Sequence, residues 1–310
     1  MAYAATGRRR AAAVALAIEV MLAGAAVALA RSRPPDLGPD YVAIENVPAG
    51  PAEPAVGSFS WECGRNEGGH RNTANIVVSP TSPGSPHHVH DYLGNLSVRI
   101  GSTVAGLAGQ PTSCTNGDQS TYYWPVLRTV TGAHGGEIQV PESVTMTYLG
   151  NPYSPVVESP RRLRGVVGDA YAETNGGTRA AAVWSCEGSP RRRTTSYPIC
   201  PDGRRVVRTF DFPSCWDGRR VDSKDHRQHL LFPAPGGGCP ISTFAVPRLK
   251  IVMAYDLPPG ARYRIDAFEP QRHSPRTDHG FFVNLMPQKL MAGVARCLNA
   301  AANCQDPGLE

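Results

Sequence analysis

The chain has 310 residues, 41% apolar and only 18% charged, which is enough core-forming material for one large domain or two small ones and excludes wholesale disorder. Its 32 Gly and 29 Pro make up close to a fifth of the chain and recur every few residues, which excludes long coiled coils. The net charge is +5, and the two dense basic runs, Arg161-Arg162-Leu163-Arg164 and Arg191-Arg192-Arg193, have no interleaved aromatics, so they read as solvated loops and no nucleic acid is expected as a partner.

In chain order, the first feature is a targeting segment. Arg8, Arg9 and Arg10 precede an apolar stretch from Ala11 to Ala30 that closes on Ala28-Leu29-Ala30. This is the pattern of a signal peptide, and its length also suits an uncleaved membrane anchor, against which Glu19 counts. Residues 1–30 are therefore expected as signal peptide or N-terminal anchor, and any membrane contact is expected there alone. The rest of the chain is placed outside the cytoplasm, secreted or in the cell envelope. Residues 31–56 hold six prolines (Pro34, Pro35, Pro39, Pro48, Pro51 and Pro54) and read as a linker. The globular part is expected over 57–305, with a tail at 306–310.

Within 57–305 the signals are mostly β. Short runs rich in β-branched and aromatic residues alternate with Gly, Pro, Ser and Asn turns. The expected strands are Asn75–Val78, Tyr122–Val130, Val144–Leu149, Ala180–Ser185, Val206–Phe212, Leu230–Phe232, Leu249–Tyr255, Tyr263–Ala267 and Gly280–Leu285. With no helical pattern between most of them, the prediction is a mainly β, single-domain sandwich or jelly roll with long loops. Leu290, Met291, Val294 and Leu298 share one face of a short C-terminal helix.

Eight cysteines in an exported chain read as four disulfides. Short loops suggest Cys186–Cys200, Cys215–Cys239 and Cys297–Cys304, which leaves Cys63–Cys114. No C-x-x-C pair is present to suggest zinc binding by cysteine.

Histidine is the unusual residue. Six of the nine fall in three polar clusters. The first is His87-His88-Val89-His90-Asp91; if extended, His88 and His90 project from one face, a geometry that suits a metal or a polar cleft. The second is Ser214-Cys215-Trp216-Asp217-Gly218 followed by Asp222, Asp225, His226 and His229. If extended, Asp225 and His229 share a face; if a helical turn, His226 and His229 are neighbours. The third is Asp278-His279-Gly280.

The stretches SPGSPHHVHDYLGN, SCTNGDQSTYYWP, FPSCWDGRRVDSKDHRQHLLFP, GGCPISTFAVPRLKIVMAYD and TDHGFF run in order from about Ser79 to Phe282. They resemble a family of secreted fungal and actinobacterial proteins known only as a domain of unknown function, with an HVH … SCWDG … HxxH signature and, in fungi, frequent attachment to WSC carbohydrate-binding modules. The resemblance implies that His88, His90, Cys215, Trp216, Asp217, His226, His229 and His279 occupy the signature positions. It also implies an extracellular or cell-wall setting with polysaccharide contact. No WSC module is present in this chain.

Imidazoles move protons near neutral pH, and several of them beside carboxylates can hold a divalent ion that activates water. The candidate catalytic set is His88, His90, Asp225, His226, His229 and His279, supported by Trp216, Asp217, Tyr123 and Trp124. The candidate metal ligands are His88, His90 and His229. A metal-free site with a His base and Tyr122 or Tyr123 as proton donor is a further option. Trp61, Trp124, Trp184 and Trp216 are expected as core anchors rather than sugar platforms. No G-x-S-x-G, H-E-x-x-H, Walker or dinucleotide fingerprint appears. The expected function is a carbohydrate-active lyase or hydrolase of the cell envelope or its surroundings. The alternative is a non-catalytic glycan-binding protein whose histidines are structural.

Overall fold

Period-two burial sets the two longest strands. In Arg248–Tyr255, residues Leu249, Ile251, Met253 and Tyr255 are buried between half-exposed neighbours, and in Ser143–Leu149 the buried set is Val144, Met146 and Tyr148. These strands pair antiparallel at the centre of a six-stranded sheet. Its spatial order is Val183–Cys186, Val206–Asp211, Arg248–Tyr255, Ser143–Leu149, Ser58–Trp61 and Asn303–Gln305, the last strand running parallel to its neighbour. A second, antiparallel sheet has the order Arg71–Asn72, His90–Gly94, Thr121–Pro125, His279–Val283 and Arg164–Gly168. This computed structural model describes residues 38–79, 88–130, 136–181, 183–201 and 203–305. The expected targeting segment, the first part of the linker, His87 and the tail lie outside the described residues.

The two sheets share one core. Phe59, Trp61, Met146, Tyr148, Phe210 and Ile251 of the larger sheet cluster with Leu93, Tyr122, Trp124, Val167 and Phe282 of the smaller. Ring contacts cross the interface at Trp61–Tyr122 (6.2 Å) and Trp124–Phe210 (6.1 Å). The smaller sheet is covered on its other face too, where Tyr92, Tyr123, Val166, Phe281 and Val283 pack under Ile76, Val77, Val98, Val104, Leu107 and Leu285. Burial on both faces explains why its three central strands carry no exposed residue and no polar alternation.

One charged pair lies inside this core. Arg208 projects inward from Val206–Asp211 and meets Asp278 through Nε (2.8 Å) and Nη2 (2.5 Å), with both side chains fully buried. Its Nη1 donates to the Pro125 carbonyl, and its guanidinium lies over the Trp184 and Phe210 rings. Burial works against the Arg208 charge, and Asp278 more than offsets it, so the proton is held more tightly than usual.

The mainly β fold and the C-terminal helix, Gln288–Asn299, agree with the sequence reading. So do all four disulfides: Cys63–Cys114, Cys186–Cys200, Cys215–Cys239 and Cys297–Cys304. Among the described residues no cysteine is free, and no helix is long and apolar enough to cross a membrane.

Four local expectations differ. The later part of the 31–56 stretch is not a free linker: Tyr41–Ala43 pairs in parallel with Tyr197–Ile199, and Ile44 and Val47 are buried against Cys186. Polar contacts hold the segment in place as well: Arg192 donates to the Glu45 and Val47 carbonyls while Arg193 and Lys250 both pair with Glu53. The basic runs are therefore partly structural, and Arg164 likewise pairs with Asp222. Asn75–Val78 is a turn rather than a strand, and Tyr122–Val130 is broken at Val126 into Thr121–Pro125 and Leu127–Thr129.

Asp278→Asn or Arg208→Met, each leaving one buried partner unmatched, is expected to lower unfolding free energy by about 3–5 kcal/mol in denaturant titrations. A double variant replacing both with apolar residues is expected to regain most of that loss. A second expectation concerns acid. Partial burial pushes the Glu53 carboxyl up, but Lys250 and Arg193 outweigh this and hold it at about 2 against an ordinary 4.5. Its stabilisation is therefore fully present above pH 4.5 and is lost as the pH falls towards 2. With the carboxylate a third exposed, Glu53→Gln should cost about 1 kcal/mol at neutral pH and nothing near pH 2.

Candidate functional site

The site forms where the outer face of the five-stranded sheet runs out. His90 is opposite Pro125 on the next strand, and His279 is opposite Gly168. Continuing the pairing of Phe281 with Tyr123 sets His279 opposite Pro125 as well. His90, Pro125, His279 and Gly168 thus form one row across four strands. The low proline ring between the two histidines lets both imidazoles lean together, with ring centroids 5.9 Å apart. His88, two residues before His90 and on the same side, completes the group at 4.5 Å from His90 and 4.9 Å from His279. The three rings are buried and can each offer a nitrogen within 4.8 Å of the others.

The orientation of His279 is fixed from behind. Its Nδ1 donates to the Thr277 carbonyl (2.8 Å), which leaves the Nε2 lone pair facing His88 Nε2 at 3.1 Å. Burial and the neighbouring His88 push the His279 imidazole well below its ordinary range, so it is neutral at pH 7. Beneath the cluster His90 packs edge-on against Tyr123. Gly168 is required here: its φ is +77°, and a Cβ would lie 2.0 Å from the Asp278 carbonyl oxygen.

His88 and His279 form part of the wall of a cavity of about 310 Å³. Asp225, His226 and Arg227 face them from a loop, and Tyr171 and Phe268 stack on each other at its edge (5.0 Å, 14°). His226 Nδ1 is 2.8 Å from Asp222 Oδ1, and Asp222 is in turn paired with Arg164 Nη1 at 2.5 Å. The carboxylate acceptor assigns the ring proton to Nδ1, so Nε2 is the nitrogen able to exchange a proton. Asp225 is occupied otherwise. Burial pushes its carboxyl up, but the amides of Gln228 and Arg227 and the Ser223 hydroxyl together prevail and hold it at about 2. It is a fixed anion shaping the turn in which His226 adopts φ +56°.

Several expected site residues lie elsewhere. His229 is not beside His88 and His90; its place in the cluster is taken by His279. His229 is fully buried, with Nε2 on the Arg164 carbonyl (2.8 Å) and Nδ1 on Ser223 Oγ (2.9 Å), so both nitrogens are committed to holding the loop. Neither the extended nor the helical reading of 225–229 holds, because the positive φ at His226 turns it into an irregular loop. Asp217 binds the Arg219 and Arg220 amides and Arg220 Nε, and Trp216 Nε1 donates to the Arg220 carbonyl, so both order a turn next to His229. Trp124 points into the inter-sheet core. Tyr122 and Tyr123 are buried, bonded to Asp118 and Asn75 respectively, and burial drives both hydroxyls well above their usual range, which removes them as proton donors. The sequence does not single out Tyr171, Phe268 or Arg227, since nothing there distinguishes them from other loop residues.

A mainly β, disulfide-linked domain with a buried histidine cluster opening into a cavity is the class of protein that this fold and site define. Residues 76–280 match the family described as Domain of unknown function (DUF1996), and the chain belongs to that family. No curated protein and no solved structure matches the chain.

The two loop histidines should separate by behaviour. His229→Ala strands the Arg164 carbonyl and Ser223 in the interior and is expected to cost about 2–4 kcal/mol of stability. His226→Ala, at the cavity wall, should change the melting temperature little. Equal melting temperatures for the two variants would mean that the two histidines do not differ in role.

Proposed function

We propose that this protein is an extracellular or cell-envelope enzyme acting on polysaccharide, by hydrolysis or elimination, with a divalent metal ion held by His88, His90 and His279. The observation that carries this reading is the convergence of three buried imidazoles from two non-adjacent strands and a preceding loop, two of which, His88 and His279, form part of the wall of one cavity.

The donor set fits a metal. Three neutral imidazoles are a common set for zinc and similar ions, and two nitrogens each bonded at 2.0–2.1 Å in a tetrahedral site lie about 3.3 Å apart. The His88 Nε2–His279 Nε2 spacing of 3.1 Å is close to that value. The Thr277 carbonyl behind His279 is the outer partner such ligands need. An ion held there would polarise water or a substrate oxygen.

The chain's own groups supply the rest. His226, with its proton held on Nδ1 by Asp222, is the group in the cavity suited to take or deliver a proton through Nε2. The exposed Tyr171 ring, backed by Phe268, offers an apolar face to a sugar ring. Four disulfides suit an oxidising compartment, which agrees with an extracytoplasmic setting.

The test is a screen of wall and secreted polysaccharides for new reducing or unsaturated ends, run with metal analysis of the full chain. The expected results are about one equivalent of bound transition metal, loss of that metal and of activity in His279→Ala and in chelator, and a fall of roughly 10²–10⁴ in turnover with metal retained in His226→Ala. Folded protein that binds no transition metal and cleaves no glycan would favour structural histidines instead.

A further inference from the structure

Arg227 is shared by two depressions. It lines the cavity of the imidazole cluster, and it also lines a neighbouring trough of about 390 Å³ whose wall includes Arg179, Leu231 and Phe232. Val166 is common to both as well, so the two depressions adjoin, with Arg227 bordering each.

The guanidinium there has no direct ion-pair partner among the described residues, and Asp169 and Asp225 act on it only at longer range. Four other half-buried arginines are matched to carboxylates, Arg71 to Asp91, Arg128 to Asp266, Arg164 to Asp222 and Arg248 to Asp211, whereas Arg192, like Arg227, gives its guanidinium to backbone carbonyls. Among the described residues no carboxylate oxygen lies within 4.0 Å of Arg227, whose Nη2 donates instead to the Gly168 carbonyl (2.6 Å). The nearest acids are already engaged. Asp169 accepts from the Tyr171 amide and Asn175, and Asp225 from Ser223 and two amides. A desolvated guanidinium with donors to spare is the arrangement that takes a planar, two-oxygen anion.

We infer that the substrate is an acidic glycan whose uronate carboxylate is bound by Arg227, with sugar units extending into both depressions. This rests on the polysaccharide reading above and names its substrate class. The trough supports a polymer rather than a small anion, since Leu231 and Phe232 are substantially exposed there and suit the apolar faces of further sugar units. Arg179 adds a second, solvent-exposed positive charge in the trough.

The test uses the full chain and three oligosaccharide probes: oligouronates, the same oligomers with carboxyls reduced to alcohols, and a sulfated neutral oligomer. Binding is measured by calorimetry at fixed ionic strength. The wild-type chain should bind oligouronates at least about tenfold more tightly than the reduced forms. Arg227→Gln should abolish that preference by bringing oligouronate affinity down to that of the reduced oligomers, and Arg227→Lys should restore part of it. Melting curves of both variants establish that the fold is intact, and the Lys variant keeps the test available if the Gln variant unfolds.

Equal affinity for acidic and reduced oligomers, or an unchanged preference in Arg227→Gln, would overturn the uronate assignment while leaving the glycan reading standing. Equal affinity for the sulfated oligomer would make Arg227 a general anion site and also overturn it. Failure to bind any of the three would remove the glycan reading itself, and this inference with it.

Discussion

A guanidinium and a carboxylate with no exposed surface join the two sheets of this protein. Arg208 and Asp278 are charges in a core of tryptophan, tyrosine and phenylalanine, where an unpaired ion would be intolerable. The geometry of the pair therefore has little freedom, and it sets the position of the adjoining strand ends. His279 is the next residue after Asp278, and the third Arg208 contact reaches the carbonyl of Pro125, which lies between His90 and His279 in the cross-strand row. One buried pair thus fixes both the join between sheets and the strand ends that carry the imidazoles.

The cluster departs from the rest of the smaller sheet because of its place at the end of the face. Further along the same face, Tyr92, Tyr123 and Phe281 are stacked and covered. At the row of His90 and His279 the apolar cover gives way to the cavity, so polar rings replace aromatic ones. The opposite wall is a loop rather than a strand, and it is held rigid by satisfied polar groups: Asp225 within its own turn, His229 between Ser223 and the Arg164 carbonyl, and Asp222 between Arg164 and His226. Two histidines three residues apart serve different ends because one faces the interior and the other the cavity.

Much of this architecture is legible in the sequence, and the losses have physical causes. Alternation identifies Val144–Leu149 and Leu249–Tyr255, whose strands have one buried and one half-exposed face. It misses His90–Gly94 and Arg164–Gly168, because strands buried on both faces, or built around glycine, show no period of two. His88 and His90 can be placed together from their spacing, and His279 can be suspected, but local pattern does not tell which of His229 and His279 joins them. That choice depends on strand register across almost two hundred residues. Arg227 is invisible for a similar reason: an arginine in a polar loop becomes distinctive only through the carboxylates it lacks. The stretch 41–50 looks like a tether because of the prolines within and around it, and the carbonyls that Arg192 binds leave no mark in composition.

The six-stranded sheet places Asn303–Gln305 alongside Ser58–Trp61, whereas each disulfide closes a loop of at most 51 residues. The covalent links are local and the sheet's last pairing is global. A chain emerging N-terminus first can accordingly be cross-linked piece by piece, yet the strand at its start waits on an open edge until nearly the whole polypeptide has been made. Any truncation near the C-terminus would expose that edge to pairing with a neighbouring molecule.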